Sequence, residues 1–501
     1  MSLHLYNTLT RTRERFKPLK QDEVKVYYCG PTPYNYAHIG NLRAYLFEDF
    51  VIRTLRFLWY RTRTVMNITD IDDKTIRDSQ KSGKSLREFT EFYAEAFLED
   101  LDRLNICRAD TIAPISTLIP DMGKMIQWLL DKWYAYLADD GSIYYSVKKF
   151  RKYGELAHLD MSGMISSVRI DNDEYDKEQV ADFALWKAYD RESDGENKWE
   201  IQLTIDNAQV TMVGRPGWHI ECSACNHHFF WDQIDIHMGG IDNLFPHHQN
   251  EVAQTEAYTG KPFSKYWMHG GHLLVDNKKM AKSANNFYTL RDIIDKNTDT
   301  PEVLVCRGFR LMALQNQYAE NFNFTFERLG AAINTIKWLD EMMKRLGRYS
   351  EKLPATEKQR NSNGKLKFHD ISREFRDNQQ AYMQNFIEKL EDDFDTNSAM
   401  TIVWEYQSYI NSGVDDGLFS LEETKSLLDL LRSWDEVIGI LDFTLLEWVE
   451  QIPESISKLA EARTLSKKLK DWKEADKLRE EIAWLGWKMI DEKDGWRVEK
   501  I

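Results

Sequence analysis

The sequence predicts an α/β fold: a parallel-sheet domain interrupted by an insertion and followed by a helical region. Three observations carry this. A strand–turn–helix–strand succession occupies residues 24–68. Strand-like segments resume only after an intervening stretch of different character, and from about Phe326 glycine becomes scarce while long amphipathic patterns take over.

Each element has its own signal. Val24–Cys29 is β-branched and aromatic and stops at Gly30-Pro31, as a strand ended by a turn does. From Asn41 to Tyr60, Leu42, Tyr45, Leu46, Phe50, Ile52, Leu55 and Leu58 mostly follow helical spacing. Arg61–Ile68 returns to strand character and completes a βαβ unit, which needs a parallel sheet. Gln233–Met238 and Lys265–Leu274 supply later strands. The insertion carries short strands such as Ser142–Val147 and a polar loop over Asp190–Lys198. Further on, Leu329–Leu346 and Gln379–Leu390 are amphipathic helices and Ser350–Gly364 is a polar linker. Ile456–Trp484 reads as one charged helix and Lys488–Val498 as a hairpin. The expected division is therefore 1–125 and 211–325 for the two halves of the α/β domain, 126–210 for the insertion, 326–450 for a helical bundle and 451–501 for a small C-terminal domain.

Composition bounds the function. With 501 residues, 42% hydrophobic and 29% charged, the chain has ample material for a core and is not a disordered protein. No apolar run approaches the roughly 20 residues that span a bilayer. Met1–Lys20 carries Arg11, Arg13, Arg15 and Lys17 with no apolar stretch behind them, so it does not read as a secretory signal. Five scattered cysteines exclude a disulfide framework and point to a reducing, cytoplasmic setting. The net charge of −15 speaks only weakly against nucleic acid, because binding depends on local patches. Residues 451–501 hold 12 basic and 11 acidic side chains, and Arg53, Arg56, Arg61 and Arg63 cluster near the first strands.

Three clusters could carry chemistry. In P-Y-N-Y-A-H-I-G-N, Pro33–Asn41, a turn leads to Gly40 at a helix start with His38 beside it, which suits a nucleotide phosphate. In D-N-K-K-M-A-K-S, Asp276–Ser283, Lys279 and Lys282 are suited to bracing a triphosphate as pyrophosphate leaves. Cys222 and Cys225 with His227, His228, His237, His247 and His248 suggest a metal, but no second Cys-x-x-Cys completes a finger. His247 and Glu251 share a helix face if Pro246 opens that helix, and Cys29 ends the first strand at the ligand edge of an α/β sheet. Spacing alone does not say which four residues would bind. Bland readings suffice elsewhere: Trp128, Trp133, Trp186 and Trp199 as packing, Cys107 and Cys306 as small core residues, and Asp70, Asp72 and Asp73 as caps or buttresses of a strand end.

Taken in order, C-G-P-T-P-Y-N-Y-A-H-I-G-N from Cys29, N-I-T-D-I-D-D-K from Asn67, G-R-P-G-W-H-I-E-C-S from Gly214, the Asp235–Glu251 segment and K-M-A-K-S from Lys279 resemble the cysteinyl-tRNA synthetases. These are class I aminoacyl-tRNA synthetases, and the similarity runs through nearly the whole chain. The resemblance implies a Rossmann-like catalytic domain with a connecting insertion, then helical and C-terminal parts that read the tRNA. It implies ATP, L-cysteine and tRNA(Cys) as substrates, with Mg2+ accompanying ATP, and a monomer without an obligatory protein partner. It assigns Zn2+ to Cys29, Cys222, His247 and Glu251, and catalysis to His38, Lys279 and Lys282. The same resemblance places ATP on His38, Gly40, Asn41, Gly239, Gly240, Asp242, Lys279 and Lys282, and the amino acid on Thr32, Thr69, Trp218 and His219.

Four departures stand out. Asn41 replaces the second histidine of the family's H-I-G-H motif, and Ala281 replaces the first serine of K-M-S-K-S. Cys225 lies where the family needs no cysteine, and Glu192–Val213 is longer than expected. Two other classes share parts of the pattern. A ligase joining cysteine to a small amine would have little use for the long C-terminal region. An RNA-binding protein that has lost catalysis would fit Asn41 and Ala281.

Overall fold

Five parallel strands form the central sheet: β1 (Val24–Tyr28), β2 (Thr62–Ile68), β3 (Thr111–Pro114), β4 (Ile234–Gly240) and β5 (Ser264–Gly270), in the order β5-β4-β1-β2-β3. The computed structural model describes residues 2–159, 169–170, 182–231, 233–280, 286–353, 372–446, 454–469, 471–492 and 495–500. From β1 the chain crosses through helix α1 (Ile39–Phe57) to β2 on one side, while β4 occupies the other side. The strand order reverses between β1 and β4, and the crevice outside their C-terminal ends is where such sheets take ligands.

Helices cover the sheet because every strand except the edge strand β3 buries both faces. In β2 every residue from Thr64 to Ile68 is buried. Helix α2 (Asp73–Ser82) starts with a capping box in which Asp72 accepts from the Lys74 N–H, and it ends at Gly83 with φ 70°. Asp70 accepts from Ser116 N at 2.9 Å, and Asp73 pairs with Lys187 Nζ at 3.1 Å and with Arg215. The aspartate trio thus caps and ties elements together, as the sequence predicts. Helix α3 (Leu86–Arg103) is capped by Ser85 and Glu88 in the same reciprocal way.

The insertion is a second sheet. Trp199–Ile205, Ala208–Pro216, Asp182–Ala188, Ile143–Tyr145 and Ala135–Leu137 are antiparallel neighbours in that order, with Arg169–Ile170 pairing parallel beside Asp182–Ala188. The expected edges at 126 and 210 fall inside helix α4 (Ile119–Asp131) and strand Ala208–Pro216. Phe183, Leu185, Trp186 and Ile201 share one continuous core with Tyr27, Val65, Met122 and Ile220. The long stretch before Gly214 is a β-hairpin, and Asp190–Lys198 is not all loop: Asp190 caps a helical turn over Arg191–Asp194.

The chain divides into two compact units, Met1–Leu339 with 370–412 and Lys425–Leu441, and 340–369 with Gly413–Thr424 and 442–501. In the first, the helix Glu302–Leu314 places Arg310, 1% exposed, 2.7 Å from buried Asp49. In the second, helices Glu454–Lys468 and Trp472–Trp484 replace the single helix expected over 456–484. They pack Ile456, Ala460 and Ile482 on Trp487 and Met489 of an antiparallel hairpin, Trp487–Glu492 with Gly495–Lys500.

Other readings change. Trp186 is fully buried and Trp128 and Trp199 flank the core, but Trp133 is 78% exposed. Cys306 is a core residue while Cys107 is half-buried. The arginine cluster lies at the wrong edge for the ligand crevice: Arg53 and Arg56 end α1, and Arg63 opens β2. Arg53 is spent on Asp49 at 2.9 Å and Arg63 on the Phe229 carbonyl at 3.2 Å. No helix among the described residues is long and apolar enough to cross a membrane.

Candidate active site

The crevice at the β1/β4 reversal is a cleft of about 510 Å³. Its wall includes Cys29, Thr32, His38, Gly40, Asn41, Thr69, Trp218, Cys222, Gly239, Gly240, Asp242, His247 and Lys279. All but three of the predicted site residues therefore meet in one place. Glu251 lies beneath the floor, His219 stands behind the wall, and Lys282 lies outside the described residues together with Ala281 and Ser283.

The floor is built from both halves of the domain. Cys29 leaves β1, Cys222 comes from helix α5 (Trp218–Phe230), and Glu251 from helix α6 (Gln249–Thr259). His247 sits in an irregular turn, Leu244–His248, that leads into α6. Cys29 Sγ lies 3.9 Å from Cys222 Sγ and 3.7 Å from Glu251 Oε1, and His247 Nε2 lies 2.8 Å from that same oxygen. One donor atom from each of the four falls within 4.8 Å of all the others.

A second set, Cys29, His237, His248 and Glu251, meets the same distance limit. It shares Cys29 and Glu251 with the first set, and His248 Nε2 faces Cys29 Sγ at 3.5 Å. His237 Nε2 holds the other Glu251 oxygen at 2.8 Å, and His248 Nδ1 is 2.8 Å from His269 Nε2, whose Nδ1 reaches Thr8 Oγ1 at 2.8 Å. Hydrogen bonds of this kind fix the orientation of rings and carboxylates around a donor cluster. His219 acts similarly, with Nδ1 3.0 Å from His247 Nδ1.

Charge distribution fits a cation. Burial opposes ionisation of Cys222, yet its hydrogen bond with Cys29 and the charge of His247 pull the thiol down to about 6. Burial likewise opposes Glu251, which His237 and His247 hold well below the usual carboxylate range. His247 is raised to about 10 by Glu251 and Cys222 against its own burial. These shifts favour a thiolate at Cys222 and a carboxylate at Glu251 beside a cationic His247, negative charge that a bound dication would balance equally well. Cys225, completely buried, has its thiol pushed up by burial and belongs to the core.

Above the floor, α1 begins at His38. Its Nδ1 accepts from Asn41 N at 3.1 Å, which leaves Nε2 to carry the proton. Burial lowers this ring to about 4, so it is a neutral donor near pH 7. Gly40 leaves room here: a Cβ would come within 2.6 Å of Met280 Cε and 2.9 Å of His38 Nδ1, so those side chains would have to shift. Lys279 is exposed on a short hairpin, Leu273–Val275 with Lys278–Lys279, turned by Asp276 and Asn277 in left-handed conformation. Asn67 joins the walls, accepting from Gly30 N at 2.9 Å and Tyr27 Oη at 3.1 Å and donating to Thr69 Oγ1 at 3.0 Å. Sequence reasoning missed Asn67, His269 and the supporting role of His237, since nothing in their spacing points at the cleft.

Residues 15–334 match the family model described as tRNA synthetases class I (C) catalytic domain, and residues 385–442 match a DALR domain. A cysteine–tRNA ligase of Chlamydia trachomatis serovar A is 41% identical over 513 residues, covering all of both chains. The chain belongs to the cysteine–tRNA ligase family. A relative of that name from Protochlamydia amoebophila is 39% identical over 99% of this chain and 98% of its own. Among solved structures, Mycobacterium tuberculosis methionyl-tRNA synthetase bound by methionyl-adenylate aligns over 84% of this chain and 92% of its own, with TM-score 0.55 at 14% identity. A LeuRS from Agrobacterium radiobacter K84, in a ternary complex with tRNA and LeuAMS, aligns over 87% and 86%, with TM-score 0.59 at 10% identity. At such identities the likeness concerns the fold: the class I sheet, its insertion and the helical region that follows. Within the cysteine–tRNA ligase family, this chain combines its metal-type donor cluster with Asn41 at the head of α1.

Proposed function

We propose that the chain activates L-cysteine with ATP and transfers it to the terminal adenosine of tRNA(Cys). The observation that carries this is the thiol-rich donor cluster at the floor of a cleft whose upper wall is a helix start. Cys29, Cys222, His247 and Glu251 would hold Zn2+, since two thiols, an imidazole and a carboxylate are a zinc donor set. When bound, such an ion supplies a soft Lewis acid that favours a substrate thiolate over the hydroxyl of serine.

The chain's own residues do the rest. Thr32, Thr69 and Trp218 wall the amino-acid end, and Trp218 stacks on His247 with ring centroids 4.3 Å apart. The substrate carboxylate attacks the α-phosphate of ATP, and pyrophosphate leaves. His38 donates from Nε2 to a phosphate oxygen, Gly40 lets the phosphate approach the backbone, and Asn41 offers an uncharged amide. Gly239, Gly240 and Asp242 lie on the adenosine side, and Mg2+ arrives with the nucleotide. Lys279, and Lys282 from beyond the described residues, neutralise charge on the departing pyrophosphate. Preorganised donors and cations at these positions lower the barrier without a covalent enzyme intermediate. Residues 326–450 and 451–501 read the tRNA, whose charge makes binding salt-sensitive.

Charging of total tRNA with cysteine, with and without excess serine, tests this reading. Cysteine should be attached and serine should not compete. Failure to charge by metal-loaded protein overturns it.

A further inference from the structure

Glu48 is an anomaly in the first unit. It lies on α1 with 2% exposure, its Oε2 has no hydrogen-bond partner, and no protein cation pairs with it among the described residues. Several other buried carboxyls of the unit have a cationic partner: Asp49 has Arg310 at 2.7 Å, Asp194 has Arg215 at 2.9 Å, and Glu251 has His237 and His247 at 2.8 Å. Leaving a carboxyl buried without a partner is costly, so a missing partner is the economical explanation.

A partner can reach it from the cleft. Glu48 forms part of its wall together with Tyr45, Asn67 and Thr69. The other carboxyl in that wall, Asp242, is more than half exposed and paired with His272 at 3.1 Å. Tyr45, one turn before Glu48, donates to the Cys29 carbonyl at 3.4 Å, which fixes this part of α1 beside the donor cluster. An α-amino acid presents three polar groups there. Its side chain goes to the cluster and its carboxylate to the phosphate, leaving its ammonium for the buried wall. Burial holds the Glu48 carboxyl well above the usual carboxylate range, a shift that a neighbouring cation would oppose.

We infer that Glu48 receives the α-ammonium group of the amino-acid substrate and so selects an amino acid over a thiol acid that lacks the amine. The inference rests on the function proposed above and adds a residue to its amino-acid site. A buried charge pair of this kind carries affinity because the partner is desolvated in either state.

The test uses the zinc-loaded full chain, with cysteine and 3-mercaptopropionate, which keeps thiol and carboxylate but has no amine. Glu48→Gln should weaken cysteine about 10- to 100-fold, by calorimetry and in KM for pyrophosphate exchange. The ATP KM and the affinity for 3-mercaptopropionate should stay within about twofold. Gln is isosteric and removes an unpartnered acid, so the variant should melt no lower than the parent. Glu48→Met, of similar length and uncharged, is the second variant and should behave alike. Cysteine affinity unchanged in both variants, or equal losses for cysteine and 3-mercaptopropionate, overturns the role of Glu48 alone. Absence of cysteine-dependent exchange in the parent chain overturns the underlying function and this inference with it.

Discussion

Cys29 and Cys222 stand 193 positions apart in the chain and 3.9 Å apart at sulfur. One leaves β1 and the other rides α5, beyond the insertion, so the thiol pair forms only when the two halves of the domain close. Metal analysis of purified chain should find about one zinc per molecule. Cys222→Ser should lose most of it, whereas Cys225→Ser, which alters only the core, should retain it. Loss in Cys225→Ser with retention in Cys29→Ser would show that the ligands are misassigned.

The His38 ring should titrate near pH 4 rather than near its ordinary 6.5, because burial disfavours its charged form. The sign follows from proton binding. Between those two values the unfolded chain binds more protons than the folded one, so this group's contribution to stability falls as pH drops through that window. Above 6.5 the contribution is complete. His38→Gln should flatten that part of the stability–pH curve, and an NMR titration midpoint of His38 near 6.5 would contradict the assignment.

Gly40→Ala introduces a Cβ into the His38 ring and Met280. Because the clash is confined to the helix start, zinc content and cysteine binding should persist. The kcat/KM for ATP should fall about tenfold or more, as expected when a reacting group is displaced. Equal ATP kinetics in the variant would remove the phosphate-facing role of this turn.

Arg310→Met should destabilise the first unit by about 3 kcal/mol, the range for removing one partner of a buried ion pair. Asp49 would keep Arg53 at 2.9 Å and the Cys107 N–H at 2.9 Å but lose its buried guanidinium. The readout is the midpoint of chemical unfolding, and an unchanged midpoint would contradict the account.

Much of this was legible in the sequence because its signals are local. The β1–α1–β2 run announces itself by periodicity and by Gly30-Pro31, and His247 with Glu251 by a one-turn spacing. Long-range placement left no such mark. Glu48 sits in a helical run of large apolar residues and looks like an exposed position until its burial is seen. Arg53 and Arg63 read as a basic patch, yet they are consumed by Asp49 and a carbonyl at the far edge of the sheet. His269 belongs to the donor network only because β5 lies beside β4. The break between the last two helices was hidden by a charge pattern that continues across it.

Thiol-selective activation is read out by exchange of pyrophosphate into ATP by zinc-loaded protein, with cysteine or serine as the amino acid. Exchange with cysteine is expected, with little for serine and loss of the cysteine signal after chelation and in Cys222→Ser. No exchange with cysteine, or equal exchange with serine, would contradict thiol-selective activation.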